Sequence, residues 1–216
     1  MSLKFPYNFI SIEGNIGSGK TTFCKKLAAE YNCQLILEEF DDNPFLPLFY
    51  KDQERWAFTV ELFFMTERYK QLQEKLVSRD MFVDFTLTDY AFIKTLLFAR
   101  QNLVETEFKM FQQLFTTLNQ SFPQPDLLVY FHRSVNHLQA NIRRRGRPYE
   151  KDITDEYLTK VQNSYFDYFR NILSFPILII DLNTIDFEEN DRNYQEVKML
   201  LAKKYNPGVH RISLMV

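Results

Sequence analysis

Eight consecutive residues, Gly14-Asn15-Ile16-Gly17-Ser18-Gly19-Lys20-Thr21, have the types and spacing needed to hold a polyphosphate. Glycines let successive backbone N–H groups turn toward one centre and form a nest for phosphate oxygens. A helix starting at Lys20 adds the positive end of its dipole. The lysine of such a loop reaches the β- and γ-phosphates, and the following hydroxyl, here Thr21, ligates magnesium. The pattern has this meaning only between a strand and a helix. Here it follows Asn8–Glu13, an apolar run of β-formers, and opens Lys20–Tyr31, which reads as a helix. The sequence therefore predicts a nucleoside triphosphate and Mg2+ bound through residues 14–22, Thr22 included.

Two further features suit phosphoryl chemistry. Arg143-Arg144-Arg145-Gly146-Arg147 closes a helical stretch, and the glycine breaks it into a loop. Guanidinium forks match phosphate oxygens and stabilise charge spread over a transferring group. A solvated helix end would favour arginine too. In a chain of net charge -2, placed behind a phosphate loop, the run reads as a lid over about residues 143–153, with Arg143, Arg145 and Arg147 at the phosphates. Glu38 ends the second predicted strand. Ligands of parallel sheets sit outside the carboxyl ends of strands, so its carboxylate is placed to take a proton from an acceptor hydroxyl. Glu39 is the natural contrast, since neighbours on a strand point to opposite faces.

The elements that position these residues alternate. Strands are expected at Asn8–Glu13, Gln34–Glu38, Met81–Thr86, Asp126–His132 and Pro176–Asp181. Helices are expected at Lys20–Tyr31, Asp52–Leu76, Asp89–Leu103, Thr106–Phe122, Val135–Arg145, Thr154–Leu173 and Glu189–Lys204. Residues 41–51 hold Pro44 and Pro47 and read as a loop or broken helix. The alternation implies a three-layer α/β/α fold: a five-stranded parallel sheet with helices on both faces and an arginine-rich lid, in one domain over residues 1–216. The tail 209–216 has the option of a further edge strand.

Composition narrows the classes. With 216 residues, 45% of them hydrophobic, the chain can bury one sizeable core. The slight negative charge argues against nucleic-acid coating, which needs surplus Lys and Arg. There is no apolar run of membrane-spanning length, no signal-like N-terminus, and only two scattered cysteines, Cys24 and Cys33. A cytoplasmic setting fits. A GTP switch should carry an Asn-Lys-x-Asp base reader, but after the fourth strand the chain reads His132-Arg133-Ser134-Val135. A motor ATPase needs partner domains for which the chain is too short. A kinase for a small acceptor fits what is present.

Several ordered segments resemble the deoxynucleoside kinase family. They are Ile12-Glu13-Gly14 through Thr22, Glu38 with Asp42-Asn43-Pro44, Tyr50-Lys51-Asp52 before Trp56-Ala57-Phe58, Pro125-Asp126-Leu127-Leu128-Val129-Tyr130, and Arg145-Gly146-Arg147 with Glu150, Ile153 and Tyr157-Leu158. The likeness runs from about Phe9 to Phe169 and is similar to bacterial members, which mostly take purine deoxynucleosides. It implies transfer of the ATP γ-phosphate to the 5′-hydroxyl of a deoxyribonucleoside. In it Glu38 is the base, Tyr50 and Glu150 hold the 3′-hydroxyl, and Arg145 and Arg147 are lid residues. Leu46 and Trp56 line the acceptor pocket, and Phe92 stacks on the nucleobase. The resemblance also implies a homodimer through the long helices, with Phe63, Phe64, Phe108, Phe111 and Phe115 as apolar surface or, alternatively, as core.

Two positions depart from the family pattern. The family ends its third strand with an acid, an arginine and a serine, the acid organising magnesium. Asp84-Phe85-Thr86 stands there, with Asp84 as the acid and no arginine; Lys94 is a candidate to restore the charge, and Asp89 is a rival acid, a base-side residue or a helix cap. The second is Glu61, where the family has a base-pairing glutamine, with Arg68 two turns on along the same face as a base-side arginine. An ionised glutamate only accepts hydrogen bonds, which favours guanine; a protonated one, or a bridging water, would admit adenine. The competing readings are a nucleoside monophosphate kinase of the thymidylate kinase type, which needs an extra arginine for the acceptor phosphate, and a non-catalytic ATP-binding regulatory protein.

Overall fold

A computed structural model describes residues 3–38, 43–77 and 82–214. Glu39, Asp41, Asp42 and Met81 lie outside the described residues. The chain alternates β1 (Phe9–Gly14), α1 (Lys20–Ala28), β2 (Cys33–Ile36), α2 (Leu46–Lys51), α3 (Gln53–Leu72) and β3 (Phe85–Thr88). Then come α4 (Ile93–Asn102), α5 (Glu105–Asn119), β4 (Leu127–His132), α6 (Val135–Arg145), α7 (Asp155–Phe169), β5 (Pro176–Asp181), α8 (Asp191–Leu201) and β6 (Gly208–Ser213).

The sheet is parallel throughout, in the order β2-β3-β1-β4-β5-β6. It has six strands, one more than the five expected. The sixth pairs the tail with β5, from Pro176 opposite Gly208 to Asp181 opposite Ser213. Its residues alternate between half-buried and exposed, as an edge strand's do when only one face is covered. The interior strands β1, β4 and β5 are buried almost residue by residue.

The third strand also differs. It begins four residues later than expected and ends at Thr88. All four of its residues are buried, and its pairing sets Phe9 opposite Thr86 and Ser11 opposite Thr88. This register moves Asp84 to the entrance of the strand, where its N–H donates to the Asn32 carbonyl and its side chain is exposed. Asp89 instead follows the strand at the end where β1 delivers the phosphate loop.

Helices cover both faces. Phe23, Phe131, Phe187 and Tyr194 pack edge to face between the sheet, α1 and α8. Under α7, Tyr130 meets Phe169 edge to face, and Tyr165 is tilted against both. A third cluster joins α2, α3, α4 and α5. Phe108, Phe111 and Phe115 are buried in it, so they are core and not dimer surface. Phe63 packs on Phe45. Each such ring contributes about 1.5–3 kcal/mol through its removal from water. The exposed apolar residues of α3 and α5 are Leu62, Met110 and Leu114. Among the described residues no helix is long and apolar enough to cross a membrane.

Candidate active site

The backbone of the loop between β1 and α1 is fixed by its glycines. Gly19 holds the left-handed conformation at φ 92° immediately before α1, and a β-carbon there would lie 2.9 Å from the Phe187 ring. At Gly14 a β-carbon would meet the Phe131 carbonyl at 2.8 Å. Side chains from distant elements clamp the loop further. Asn15 Nδ2 donates to the Leu158 carbonyl at 2.7 Å, and Asn141 Nδ2 to the Gly17 carbonyl at 2.8 Å. Arg133 donates to the carbonyls of Ser18, Leu182 and Ile185, tying the loop to the segment after β5.

Lys20 is folded back on the loop, its Nζ donating to the carbonyls of Gly14 at 2.9 Å and Asn15 at 3.1 Å. Burial, reinforced by the nearby Lys94 ammonium, lowers its pKa to about 8. Ser18 Oγ is buried without a partner. A polyphosphate fits this cradle: it supplies an acceptor for that hydroxyl and an anion for Lys20.

Thr21 Oγ1 donates to Asp89 Oδ2 at 2.5 Å. The other Asp89 oxygen accepts from the Glu38 N–H at 2.7 Å. Asp89 therefore bridges the predicted metal hydroxyl and the predicted base. It caps no helix: the residue before α4 is Phe92, with no side-chain cap. Hydroxyl and carboxylate oxygens side by side suit magnesium, a hard cation. Asp84, expected as the magnesium-side acid, is exposed at the opposite end of β3, because the strand begins at Phe85 and not at Met81. Burial and the Glu38 charge push the Asp89 pKa up, while the Thr21 bond opposes this.

Glu38 is held by two cations. Arg68 Nε and Nη2 both donate to Oε1, at 2.9 and 2.6 Å, and Lys94 Nζ donates to Oε2. Burial alone would raise its pKa, but Lys94 and Arg68 outweigh burial and hold the carboxyl far below the usual carboxylate range. Arg68 also donates to Thr95 Oγ1 at 3.0 Å. Its side chain thus holds Glu38 directly. Lys94 supplies the cation that the third-strand sequence lacks at Phe85.

One cavity of about 1130 Å³ joins all of this. From the phosphate loop it extends between α2, α3, α4 and α7, where Leu46, Phe49, Tyr50, Val60, Glu61, Phe64, Phe98, Asn102 and Tyr157 line it. Glu61 is buried there. Asn102 Nδ2 donates to its Oε1 at 2.6 Å, and Oε2 has no partner. Burial, opposed by Arg68 and Asn102, raises the Glu61 pKa to about 7. After α6, Arg145 donates to both oxygens of the buried Glu150, at 3.0 and 2.5 Å, and Arg147 lies 3.6 Å from it. Gly146, at φ 70°, ends α6, and Arg147, Tyr149 and Glu150 beyond it line the cavity. Tyr149 stacks on Tyr50 with centroids 6.4 Å apart.

Three sequence assignments fall away. Phe92 is core, its ring stacked 5.1 Å from Phe115. Trp56 stacks on Phe45 outside the cavity lining, and Arg143 is exposed and also outside it, while Arg144 lines it and pairs with Glu188 at 2.6 Å. Among the cavity residues to which the sequence gave no role are Phe49, Phe98 and Asn102. None stands in a spaced motif; helical periodicity placed Phe98 and Asn102 on α4 without saying which face meets α3.

The comparisons with known proteins agree with this geometry. A family model for deoxynucleoside kinases matches residues 10–205. The chain is 31% identical to the deoxyguanosine kinase of Bacillus subtilis over 196 residues, covering 88% of this chain and 93% of that one. It is 28% identical to the deoxyadenosine kinase of Lactobacillus acidophilus, covering 90% and 95%. The structure of deoxyadenosine kinase from M. mycoides with bound dATP superposes with a TM-score of 0.77 at 21% identity, covering 90% of this chain and all of that one.

Proposed function

The chain belongs to the deoxynucleoside kinase family, an ATP-dependent phosphotransferase group, and within it we propose that the acceptor is the 5′-hydroxyl of a purine deoxyribonucleoside. The observation that carries this is the single cavity joining Lys20, Glu38 and Glu61: a triphosphate cradle, a base and a buried carboxylate suited to a nucleobase. Relatives named for deoxyguanosine and deoxyadenosine support the purine reading.

In this reading Lys20 leaves the loop carbonyls for the β- and γ-phosphates. Magnesium, held by Thr21 and Asp89, would neutralise phosphate charge when bound. Tyr50 and Glu150 hold the sugar 3′-hydroxyl, and Arg145 and Arg147 come from Glu150 to the transferring group. Glu38 takes the 5′-hydroxyl proton. A carboxylate so strongly acidic is a weak base in the resting site, so Glu38 must shed one cation as the acceptor binds. Lys94 makes one bond to it on a flexible stem, whereas Arg68 grips it with two and is anchored on Thr95. Lys94 is therefore the cation that moves, and the γ-phosphate is the charge it moves toward.

Leu62 on α3 and Met110 and Leu114 on α5 are exposed apolar side chains that a homodimer through these helices would cover. Cys24 and Cys33, both free, suit a reducing cytoplasm. Of the two arginines that could serve a monophosphate acceptor, Arg55 is exposed on α3 and Arg68 is engaged with Glu38.

The test is a panel of deoxynucleosides and deoxynucleoside monophosphates with ATP and magnesium, scored for phosphorylated product. Product from deoxyguanosine or deoxyadenosine supports the reading. Product from monophosphates alone, or from none, refutes it.

A further inference from the structure

Glu61 is a costly residue for its position. It is 2% exposed, on the wall of the cavity remote from the phosphate loop, between the apolar side chains of Val60, Phe64 and Phe98. A carboxylate buried among such groups is normally paired with a cation or fully hydrogen-bonded. Glu61 is neither. The nearby Arg68 guanidinium hydrogen-bonds Glu38 and Thr95, and among the described residues no cation forms an ion pair with Glu61. One oxygen, Oε1, accepts from Asn102, whose amide also donates to Tyr157 Oη at 3.3 Å. The other, Oε2, is buried with no partner. A ligand atom in the cavity can complete it.

The two purines ask opposite things of that oxygen. Guanine presents two adjacent donors, N1–H and the 2-amino group, to a bidentate acceptor. Adenine presents the 6-amino donor beside N1, an acceptor, and so needs one carboxyl oxygen to accept and the other to donate a proton. The same carboxyl group satisfies either edge in the same bidentate geometry, and the two arrangements differ by one proton. Resting on the proposed function above, we infer that Glu61, oriented by Asn102, reads the purine edge, and that its protonation state selects the substrate: deoxyguanosine when ionised, deoxyadenosine when protonated.

The groups facing Glu61 decide where this proton is exchanged. They are Arg68 on α3, Lys94 and Asn102 on α4, Tyr157 on α7, Tyr50 on α2 and Glu38 after β2. Burial raises the pKa; Arg68, the Asn102 bond and Lys94 lower it; Glu38 raises it; the balance is about 7. Below that pH the protonated, adenine-reading form predominates, and above it the ionised, guanine-reading form. If each purine uses one form only, the preference changes by about 100-fold between about pH 6 and pH 8.

The test is kcat/KM for deoxyguanosine and for deoxyadenosine from about pH 5.5 to 8.5, since kcat/KM reports groups of the free enzyme. Contributions of Glu38, Lys20 and the lid are common to both substrates and cancel in the ratio. The expected result is a deoxyguanosine:deoxyadenosine ratio that rises with pH in the wild type and stays flat in Glu61→Gln. Asn102→Ala, which removes a donor that favours the anion, should move the change to higher pH. A flat wild-type ratio with both purines turned over overturns the inference and leaves the proposed function standing. So does a ratio that rises equally in Glu61→Gln, which would assign the proton elsewhere. Should Glu61→Gln fail to fold, as thermal melting would show, the wild-type ratio and the Asn102→Ala shift decide alone. Absence of product from either purine at every pH overturns the proposed function and the inference together.

Discussion

Arg68 Nη2 lies 2.6 Å from Glu38 Oε1, thirty residues apart in the chain, and Nε of the same guanidinium donates to the same oxygen. The pair joins the long helix α3 to the end of β2 and sets the charge of the proposed base. Glu38→Gln should therefore retain ATP binding, read by calorimetry, and lose roughly 10²–10⁴-fold in kcat. Turnover within a few-fold of wild type would remove Glu38 from the chemistry.

The cations on Glu38 have a pH consequence. Its folded pKa is depressed below the unfolded value, so its contribution to stability is fully present above the ordinary carboxylate range and is lost as pH falls through the lower folded value. Lys94→Met should raise the Glu38 pKa, so that acid unfolding begins at higher pH than in the wild type. Chemical denaturation across an acid series gives the comparison. An unchanged acid limb would separate Lys94 from Glu38 energetically.

Lys20, at about 8, loses its proton in the free enzyme just above neutrality. kcat/KM for ATP should fall as pH rises through about 8. Bound phosphates favour the ammonium, so the fall in kcat should lie at higher pH. Coincident alkaline limbs for the two quantities would contradict this coupling.

Asp89 touches both Thr21 and the Glu38 backbone. Asp89→Asn should raise the magnesium concentration needed for half-maximal rate by at least several-fold, while Asp84→Asn leaves it unchanged. A magnesium titration of both variants distinguishes the two acids.

On α5, Leu114 is 44% exposed beside Met110 at 49%. Leu114→Glu should leave melting of the isolated fold within about 0.5 kcal/mol, as exposed substitutions generally do, and shift sedimentation from dimer toward monomer. A wild-type monomer at all concentrations would refute the dimer.

The amino-acid sequence by itself determined the features whose geometry is local. Residues 14–21 form the phosphate loop because glycine conformations, a strand end and a helix start are written within a dozen residues. Arg145 and Arg147 reach the cavity for the same reason, with Gly146 ending the helix beside them. Glu38 was legible from its place at a strand's carboxyl end. The tertiary structure decided what depends on register and on which helix faces meet. The third strand runs over Phe85–Thr88, so Asp84 precedes it and Asp89, the residue after it, meets the Thr21 hydroxyl. Phe92 and Trp56 went to apolar neighbours outside the cavity, since a ring's burial in the core and in a pocket give the same sequence pattern. Asn102 met Glu61 across 41 residues because α3 packs against α4, a contact no spacing along either helix specifies.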